Sequence, residues 1–445
     1  MPQPHPSDVP AALSPAPIGV GLLGCGTVGT GVARLLLARE GPYAHRAGRP
    51  VSLVRVGVRD VGRDRGLPAA LFTADLEAVV DDPRVHVVVE AIGGCEPALA
   101  LILRAIAARK HVVTANKEVI ARHGHVIFPA ARAAGVAVQV EATVAGGIPI
   151  VAAIKSSLAA NRIRQVAGII NGTTNYILTA MAMHGQSLAE ALAEAQRLGY
   201  AEADPTSDVE AYDAAYKIAI LASAIFDHRV AIDEVHREGI TALTAADIAY
   251  ARELGYVVKL LGVARREPGP TGEQLQVRVH PAMIPTSHPL APIEGVMNAV
   301  AVSGDAVGEV MFSGPGAGMM PTASAVLGDV LAIAAQPELP HRLLTCQHEG
   351  LAPVAPIDDL VTRFYVRLLA ADEPGVIGTI GQACGRHGIS IRSMVQKGER
   401  DGSAEIVLIT HRVRERAMRE ALAELAADPS IRAIGSVIRV EDLAP

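Results

Sequence analysis

Between Gly199 and Leu221 the chain reads Gly-Tyr-Ala-Glu-Ala-Asp-Pro-Thr-Ser-Asp-Val-Glu-Ala-Tyr-Asp-Ala-Ala-Tyr-Lys-Ile-Ala-Ile-Leu, with five acids and one lysine ahead of an apolar run. Asp213 and Lys217 stand four apart, and the alanine-rich composition predicts a helix over 209–222 that puts both on one face. On a solvated helix such a pair contributes ~0.2–0.5 kcal/mol and needs no function. Here Ala214, Ala215, Ile218, Ala219, Ile220 and Leu221 leave little polar surface, which predicts a largely buried helix. A lysine in that setting needs a partner or a task. One such task is to protonate an oxygen on which negative charge develops.

A second lysine, Lys117, follows the apolar run 111–114 in Thr114-Ala115-Asn116-Lys117-Glu118. A cation at a helix start opposes the helix dipole, so Lys117 reads as a site residue at the ligand-binding edge of a sheet. That sheet is announced upstream. The apolar run 18–23 leads into Gly24-Cys25-Gly26-Thr27-Val28-Gly29 and then a helical stretch over 30–39, which is G-x-G-x-x-G in its proper context. Its first glycine permits a tight bend, its second lets a pyrophosphate approach the backbone, and its third allows helix to pack on strand. Further strands are expected at 51–58, 85–89 and 111–114, giving a Rossmann-type α/β domain. The second strand ends in Val58-Arg59-Asp60; Arg59 can hold a 2'-phosphate, which favours NADP, while Asp60 keeps NAD open. Arg63 and Arg65 add positive charge nearby.

At 445 residues the chain needs several cores. Half of its residues are hydrophobic, yet no uninterrupted apolar run reaches the ~20 residues needed to span a bilayer, so no membrane role is expected. A net charge of −6 gives no electrostatic footprint for nucleic acid. The proline-rich residues 1–17 read as a disordered tail and not a signal peptide, and the scattered Cys25, Cys95, Cys346 and Cys384 read as reduced thiols. Both readings give a cytoplasmic protein.

Three small-residue stretches follow. Strand 136–140 leads into Glu141-Ala142-Thr143-Val144-Ala145-Gly146-Gly147-Ile148-Pro149, either a plain turn or a set of oxygen donors suited to a hard cation. Asn171-Gly172-Thr173-Thr174-Asn175-Tyr176 and Ser313-Gly314-Pro315-Gly316-Ala317-Gly318 each join an expected strand to an expected helix, where helix capping alone would explain the polar residues.

Together, in order, these segments resemble the bacterial homoserine dehydrogenases from Gly24 through Asp329. The resemblance implies reversible hydride transfer between NAD(P)H and L-aspartate 4-semialdehyde, giving L-homoserine. It assigns Lys217 as proton donor, Glu202 and Asp213 as the grip on the substrate ammonium with Gly199 beside them, Asp208 as support, and Lys117 beside nicotinamide and substrate. It places the cofactor on Gly24, Gly26, Thr27, Val28, Gly29, Arg59, Lys117 and Gly316, and a sodium ion on Glu141, Val144, Gly146 and Ile148. A homodimer or homotetramer is the expected assembly.

After an expected linker over 346–360, the pattern strand, helix, strand, strand, helix, strand over 361–445 reads as a ferredoxin-like βαββαβ module. Its Asp372-Glu373-Pro374-Gly375 turn and His387-Gly388-Ile389-Ser390 step resemble an ACT domain. That resemblance implies L-threonine as a feedback effector; a purely structural pairing module is the alternative. The expected organisation is a dinucleotide domain over 18–150 completed by 315–345, a substrate and dimerisation domain over 151–314, and the ACT domain.

Two rival functions compete with this one. Cys95, in Gly93-Gly94-Cys95-Glu96-Pro97, could serve a thiol-dependent semialdehyde dehydrogenase, but no histidine stands near it in sequence to activate it. A non-catalytic amino-acid sensor conflicts with intact glycines and both lysines.

Overall fold

The computed structural model describes residues 16–269, 272–338, 350–400 and 403–442. Of the expected segments, residues 1–15 of the tail, the end of the 315–345 return and residues 346–349 with Cys346 lie outside that range. The described chain packs as two units, one from residues of 1–147 and 318–347, the other from residues of 148–317 and 348–445.

In the first unit six strands pair in parallel: β1 (Ile18–Leu23), β2 (Val51–Gly57), β3 (Phe72–Thr73), β4 (Val87–Glu90), β5 (His111–Thr114) and β6 (Val138–Gln139). Their spatial order is β3-β2-β1-β4-β5-β6, the doubly wound order whose strand ends form a ligand crevice. β1, β4 and β5 are buried at every residue, as befits strands covered on both faces. The helix Met319–Ala335 returns to this unit and packs on Thr27–Ala38, where a Cβ on Gly31 would stand 2.8 Å from the Met319 carbonyl. Helix Thr27–Ala38 begins three residues before the expected position, so the last glycine of the turn, Gly29, already belongs to it. β4 runs to Glu90 and starts at Val87, two residues later than expected, and β6 is shorter than 136–140.

The second unit is built on a sheet ordered β12-β11-β7-β9-β10-β17-β13-β15-β14 among the described residues. Its strands are β7 (Ile163–Ile169), β8 (His236–Arg237), β9 (Tyr256–Gly269), β10 (Gly272–Pro285), β11 (Met297–Gly304), β12 (Gly308–Pro315), β13 (Val361–Ala371), β14 (Ile391–Arg400), β15 (Ser403–Thr410), β16 (Val413–Arg414) and β17 (Ile431–Val440). β8 joins the edge of the β10 ladder and β16 that of β13. The last strands, with helices Val376–Arg386 and Glu415–Ala427, make the βαββαβ module around a core that includes Phe364, Val366, Leu368, Ile380 and Leu408.

That module is continuous with the rest of the unit. β17 pairs in parallel with β10 at Ala282 to Arg439 and Met283 to Val440. The 350–360 stretch is also laid on structure, since Leu275 N donates to Pro353 O and Ala355 N to Leu275 O, both at 2.8 Å.

The expected helix over 209–222 is corrected by the structure. A short turn of helix, Thr206–Val209, is followed by Ala211 in the left-handed region at φ 63°, and the long helix runs Tyr212–Phe226. The carbonyls that would propagate one continuous helix are taken from outside: Ile240 N donates to Val209 O at 2.8 Å, and Arg237 Nη1 donates to Glu210 O. Tertiary partners therefore outweigh alanine's helix propensity at this point.

Candidate functional site

In the second unit the helix Tyr212–Phe226 is buried along most of its length, and Asp213 and Lys217 lie on one of its faces. Lys217 Nζ lies 2.7 Å from Asp213 Oδ2 and donates to the Ile170 carbonyl at 2.9 Å. Their side chains are 12% and 7% exposed, so this is a shielded ion pair with its amine held from two sides. Asp213 is itself reached from a second element: Asn171 Nδ2 donates to its Oδ2 at 2.8 Å and to Asp208 Oδ1 at 2.7 Å. Asn171 also caps the helix Gly172–His184, its Oδ1 accepting from Thr174 N at 2.8 Å. One asparagine thus locks the end of β7 to both acids.

Burial pushes the Asp208 carboxyl above its ordinary value; the Asp213 charge adds to this, while Asn171 pulls the other way. Asp213 and Lys217 meet as their four-residue spacing implied, and Asp208, assigned beside them only by the resemblance, joins them through Asn171. Glu202 is not in this network: it lies exposed on the loop after Gly199 (φ 76°), and its carbonyl accepts from Gln196 Nε2 at 3.0 Å. From sequence Asn171 has no role beyond capping, although an asparagine before Gly-Thr-Thr is the available signal.

In the first unit the three glycines do three different things. Gly24 sits at φ 91°, and a Cβ there would stand 2.5 Å from the Ala91 carbonyl; a Cβ on Gly29 would stand 2.1 Å from the Gly24 carbonyl. A Cβ on Gly26 would meet nothing within 4 Å, which leaves its outward side open. Thr27 is exposed and Val28 half-buried at the first turn of the helix, where free amide groups attract phosphate. A cavity of about 290 Å³ joins Gly24 and Gly26 to Arg59, Asp60, Arg63 and Arg65. The residues fit a dinucleotide: an open glycine, a helix start and a cationic rim. Arg59 is exposed, whereas Arg65 braces the rim, donating to the Asp60 and Arg63 carbonyls at 2.9 Å and to Cys25 O at 3.3 Å.

Lys117 is the first residue of helix Lys117–Ala134, capped by Asn116. Beneath it lies fully buried Glu90, absent from the sequence reading, which accepts from Thr114 Oγ1 at 2.5 Å and Ile92 N at 2.8 Å. Asn116 Nδ2 reaches Gly94 O at 2.6 Å. Glu90 therefore ties the ends of β4 and β5 together and sets where Lys117 starts. Cys95 has its thiol pushed up by burial and by the Glu118 charge, the opposite of what a thiolate nucleophile needs.

Of the expected cation ligands, Glu141, Val144 and Gly146 belong to the first unit and Ile148 opens the second. Glu141 is buried and its N–H donates to Asp329 Oδ2 at 3.0 Å; burial and the Glu141 charge hold the Asp329 carboxyl well above its usual range. The described residues hold no cluster of three or more His, Cys, Asp or Glu able to bind a metal. Gly316 falls in the second unit, where a Cβ would stand 2.0 Å from Asn298. No helix among the described residues is long and apolar enough to cross a membrane.

Compared with known families, residues 24–141 match the domain described as homoserine dehydrogenase, NAD binding domain, residues 149–331 the homoserine dehydrogenase domain, and residues 364–429 the ACT domain. The homoserine dehydrogenase of a Synechocystis strain is 51% identical over 95% of this chain and 99% of its own, and that of Pseudomonas aeruginosa 46% identical over 96% and 99%. The crystal structure of a homoserine dehydrogenase from Thiobacillus denitrificans superposes with a TM-score of 0.91 at 44% identity, covering 96% of this chain and 99% of that one.

Proposed function

The chain belongs to the homoserine dehydrogenase family and is an NAD(P)-dependent oxidoreductase, and from that premise we propose that Lys217 is the proton donor in the reversible reduction of L-aspartate 4-semialdehyde to L-homoserine. The observation that carries this reading is the shielded Lys217 amine, bonded to Asp213 and the Ile170 carbonyl. When bound, the nicotinamide supplies the hydride that reaches the aldehyde carbon. Lys217 Nζ gives a proton to the carbonyl oxygen as charge develops there, and takes it back when the alcohol is oxidised. Asp213 favours the charged amine and, with Glu202 and the Gly199 backbone, binds the substrate ammonium. Asp208 steadies Asp213 through Asn171. Lys117 lies beside nicotinamide and substrate.

The finer assignments rest on the same reading. NADP is the preferred cofactor, favoured by Arg59 on the cavity rim, with NAD left open by Asp60. A sodium ion is bound by Glu141, Val144, Gly146 and Ile148. L-threonine acts at the ACT domain of a homodimer or homotetramer. A cytoplasmic location fits the free thiols of Cys25, Cys95 and Cys384.

The test is nicotinamide absorbance with aspartate semialdehyde, for the full chain and for Lys217→Ala. The variant should lose roughly 10²- to 10⁴-fold in kcat with cofactor affinity unchanged. Near-normal turnover would overturn the assignment. Saturating threonine that altered neither rate nor melting temperature would remove the sensing role.

A further inference from the structure

The helix that carries Asp213 and Lys217 starts from a strained turn. Ala211 holds φ 63°, a conformation that costs a residue with a Cβ and persists only where the surroundings impose it. The surroundings here are one short segment, 237–241. Ile240 N donates to Val209 O at 2.8 Å, and Thr241 Oγ1 donates to Glu210 Oε1 at 3.1 Å. Arg237 Nη1 donates to the Glu210 carbonyl, and its guanidinium lies 3.5 Å over the centre of the Tyr212 ring. Between them Gly239 presses so close that a Cβ would stand 2.3 Å from Val209 O.

The same segment is gripped from the other side by the ACT domain. Arg237 closes β8, which pairs with β10, and Glu238 N continues the pairing by donating to Val279 O at 2.8 Å. Successive side chains of an extended strand point to opposite faces. Arg237 accordingly meets the kink, and Glu238 meets Arg439 of β17, whose Nη1 and Nη2 donate to its two oxygens at 2.7 and 2.8 Å. Arg439 is fixed in turn by Glu415 at 2.6 and 2.8 Å, and Glu238 accepts a further bond from His236 at 2.8 Å. Burial acts to raise the Glu238 carboxyl, but His236 and Arg439 outweigh it and hold it well below its usual range.

We propose that Arg237 is a positioning residue for Lys217, and that the Arg439–Glu238 ion pair couples the last strand of the ACT domain to the start of the catalytic helix. The proposal rests on Lys217 being the proton donor. A shift of β17 moves Glu238, and Arg237 with it. The turn at Ala211 then loses its brace, and Asp213 and Lys217 shift relative to the substrate while the dinucleotide turn is untouched.

The experiment uses the full chain and the variants Arg237→Met, Arg237→Lys, Glu238→Gln, Arg439→Gln and the double variant Arg237→Met/Arg439→Gln. Homoserine oxidation kinetics across pH, cofactor affinity and thermal melts are recorded for each. Arg237→Met, Glu238→Gln and Arg439→Gln should each lower kcat roughly ten-fold through misplacement of the reacting group, with cofactor Kd unchanged and the pH profile of kcat altered. Arg237→Lys, which keeps a cation over the ring, should recover most of the rate, and the double variant should be no slower than Arg237→Met alone. Full kcat in Arg439→Gln, or losses that multiply in the double variant, would overturn the coupling. If Arg439→Gln melts early, the near-isosteric Glu238→Gln decides by the same criteria. An inactive wild type would refute the functional reading, whereas an active wild type with indifferent variants refutes this link alone.

Discussion

Asp213 Oδ2 sits 2.7 Å from Lys217 Nζ and accepts at 2.8 Å from Asn171 Nδ2, so one carboxylate oxygen joins a helix turn to the end of a strand 42 residues earlier. The ion pair is local in sequence, but its orientation is not. Asn171 keeps the acid from rotating toward solvent, and the Ile170 carbonyl beside it accepts a second hydrogen bond from the lysine. A cation fixed in this way costs no reorganisation when charge appears on a substrate oxygen.

Asp208, the outer acid of this cluster, favours its protonated form in the folded state because it is buried beside Asp213. Its contribution to stability is therefore full below the unfolded value, about 4, and is lost as pH rises through the raised folded value. Relative to wild type, Asp208→Asn should gain stability as pH rises from 4 to 7. Chemical denaturation at both pH values checks this; a gap that narrows with rising pH contradicts it.

The glycines of the dinucleotide turn should separate folding from binding. Gly26→Ala has open space around its Cβ and should melt within about 0.5 kcal/mol of wild type while weakening NADPH binding at least roughly ten-fold. Gly29→Ala forces a Cβ to within 2.1 Å of the Gly24 carbonyl and should destabilise the whole domain by about 1–3 kcal/mol. Melts and cofactor titrations of the two proteins, run side by side, test the distinction.

Arg59 and Arg65 line one cavity but should behave differently. Arg59→Ala is expected to raise the KM for NADPH by roughly ten-fold and leave that for NADH unchanged, since only the former has a 2'-phosphate to lose. Arg65→Ala, which releases three backbone carbonyls of the rim, should weaken both cofactors. An unchanged NADPH to NADH ratio in Arg59→Ala would assign the phosphate elsewhere.

Asp247 is fully buried and bonded by Arg367 Nε at 2.7 Å, with further bonds from Thr244, Tyr365 and Ser436. Burial acts to raise its carboxyl, but these bonds outweigh it and hold the group low. Its stabilisation is thus present above the unfolded value and lost as pH falls through the folded one. Arg367→Met should cost about 3–5 kcal/mol at pH 7 by stranding the charge, and the deficit should shrink on acidification as Asp247 is neutralised. Urea unfolding at pH 7 and pH 4.5 measures both values.

Much of the architecture was legible in local pattern. Apolar runs of strand length, the Gly24 to Gly29 turn and the βαββαβ order of the last 85 residues follow from side-chain period and turn chemistry, and they reappear with their ends shifted by a few residues. The four-residue spacing of Asp213 and Lys217 likewise survives, because any helix through them places both on one face. What failed was the helix start. Nothing near Ala211 in sequence announces a left-handed residue, because its cause is Arg237 and Ile240, more than 25 positions away.

Residue types and spacing announce which groups could do chemistry: an amine beside an acid, a glycine turn before a helix, an arginine after the second strand. Which of them meet follows from packing alone. It put Asn171 between Asp208 and Asp213, set buried Glu90 under the start of the Lys117 helix, left Glu202 on an exposed loop, and ran the ACT strands into the substrate-domain sheet through β10 and β17. Propensity and period act over a few residues, whereas a buried polar group must find its partner wherever the packed chain supplies one.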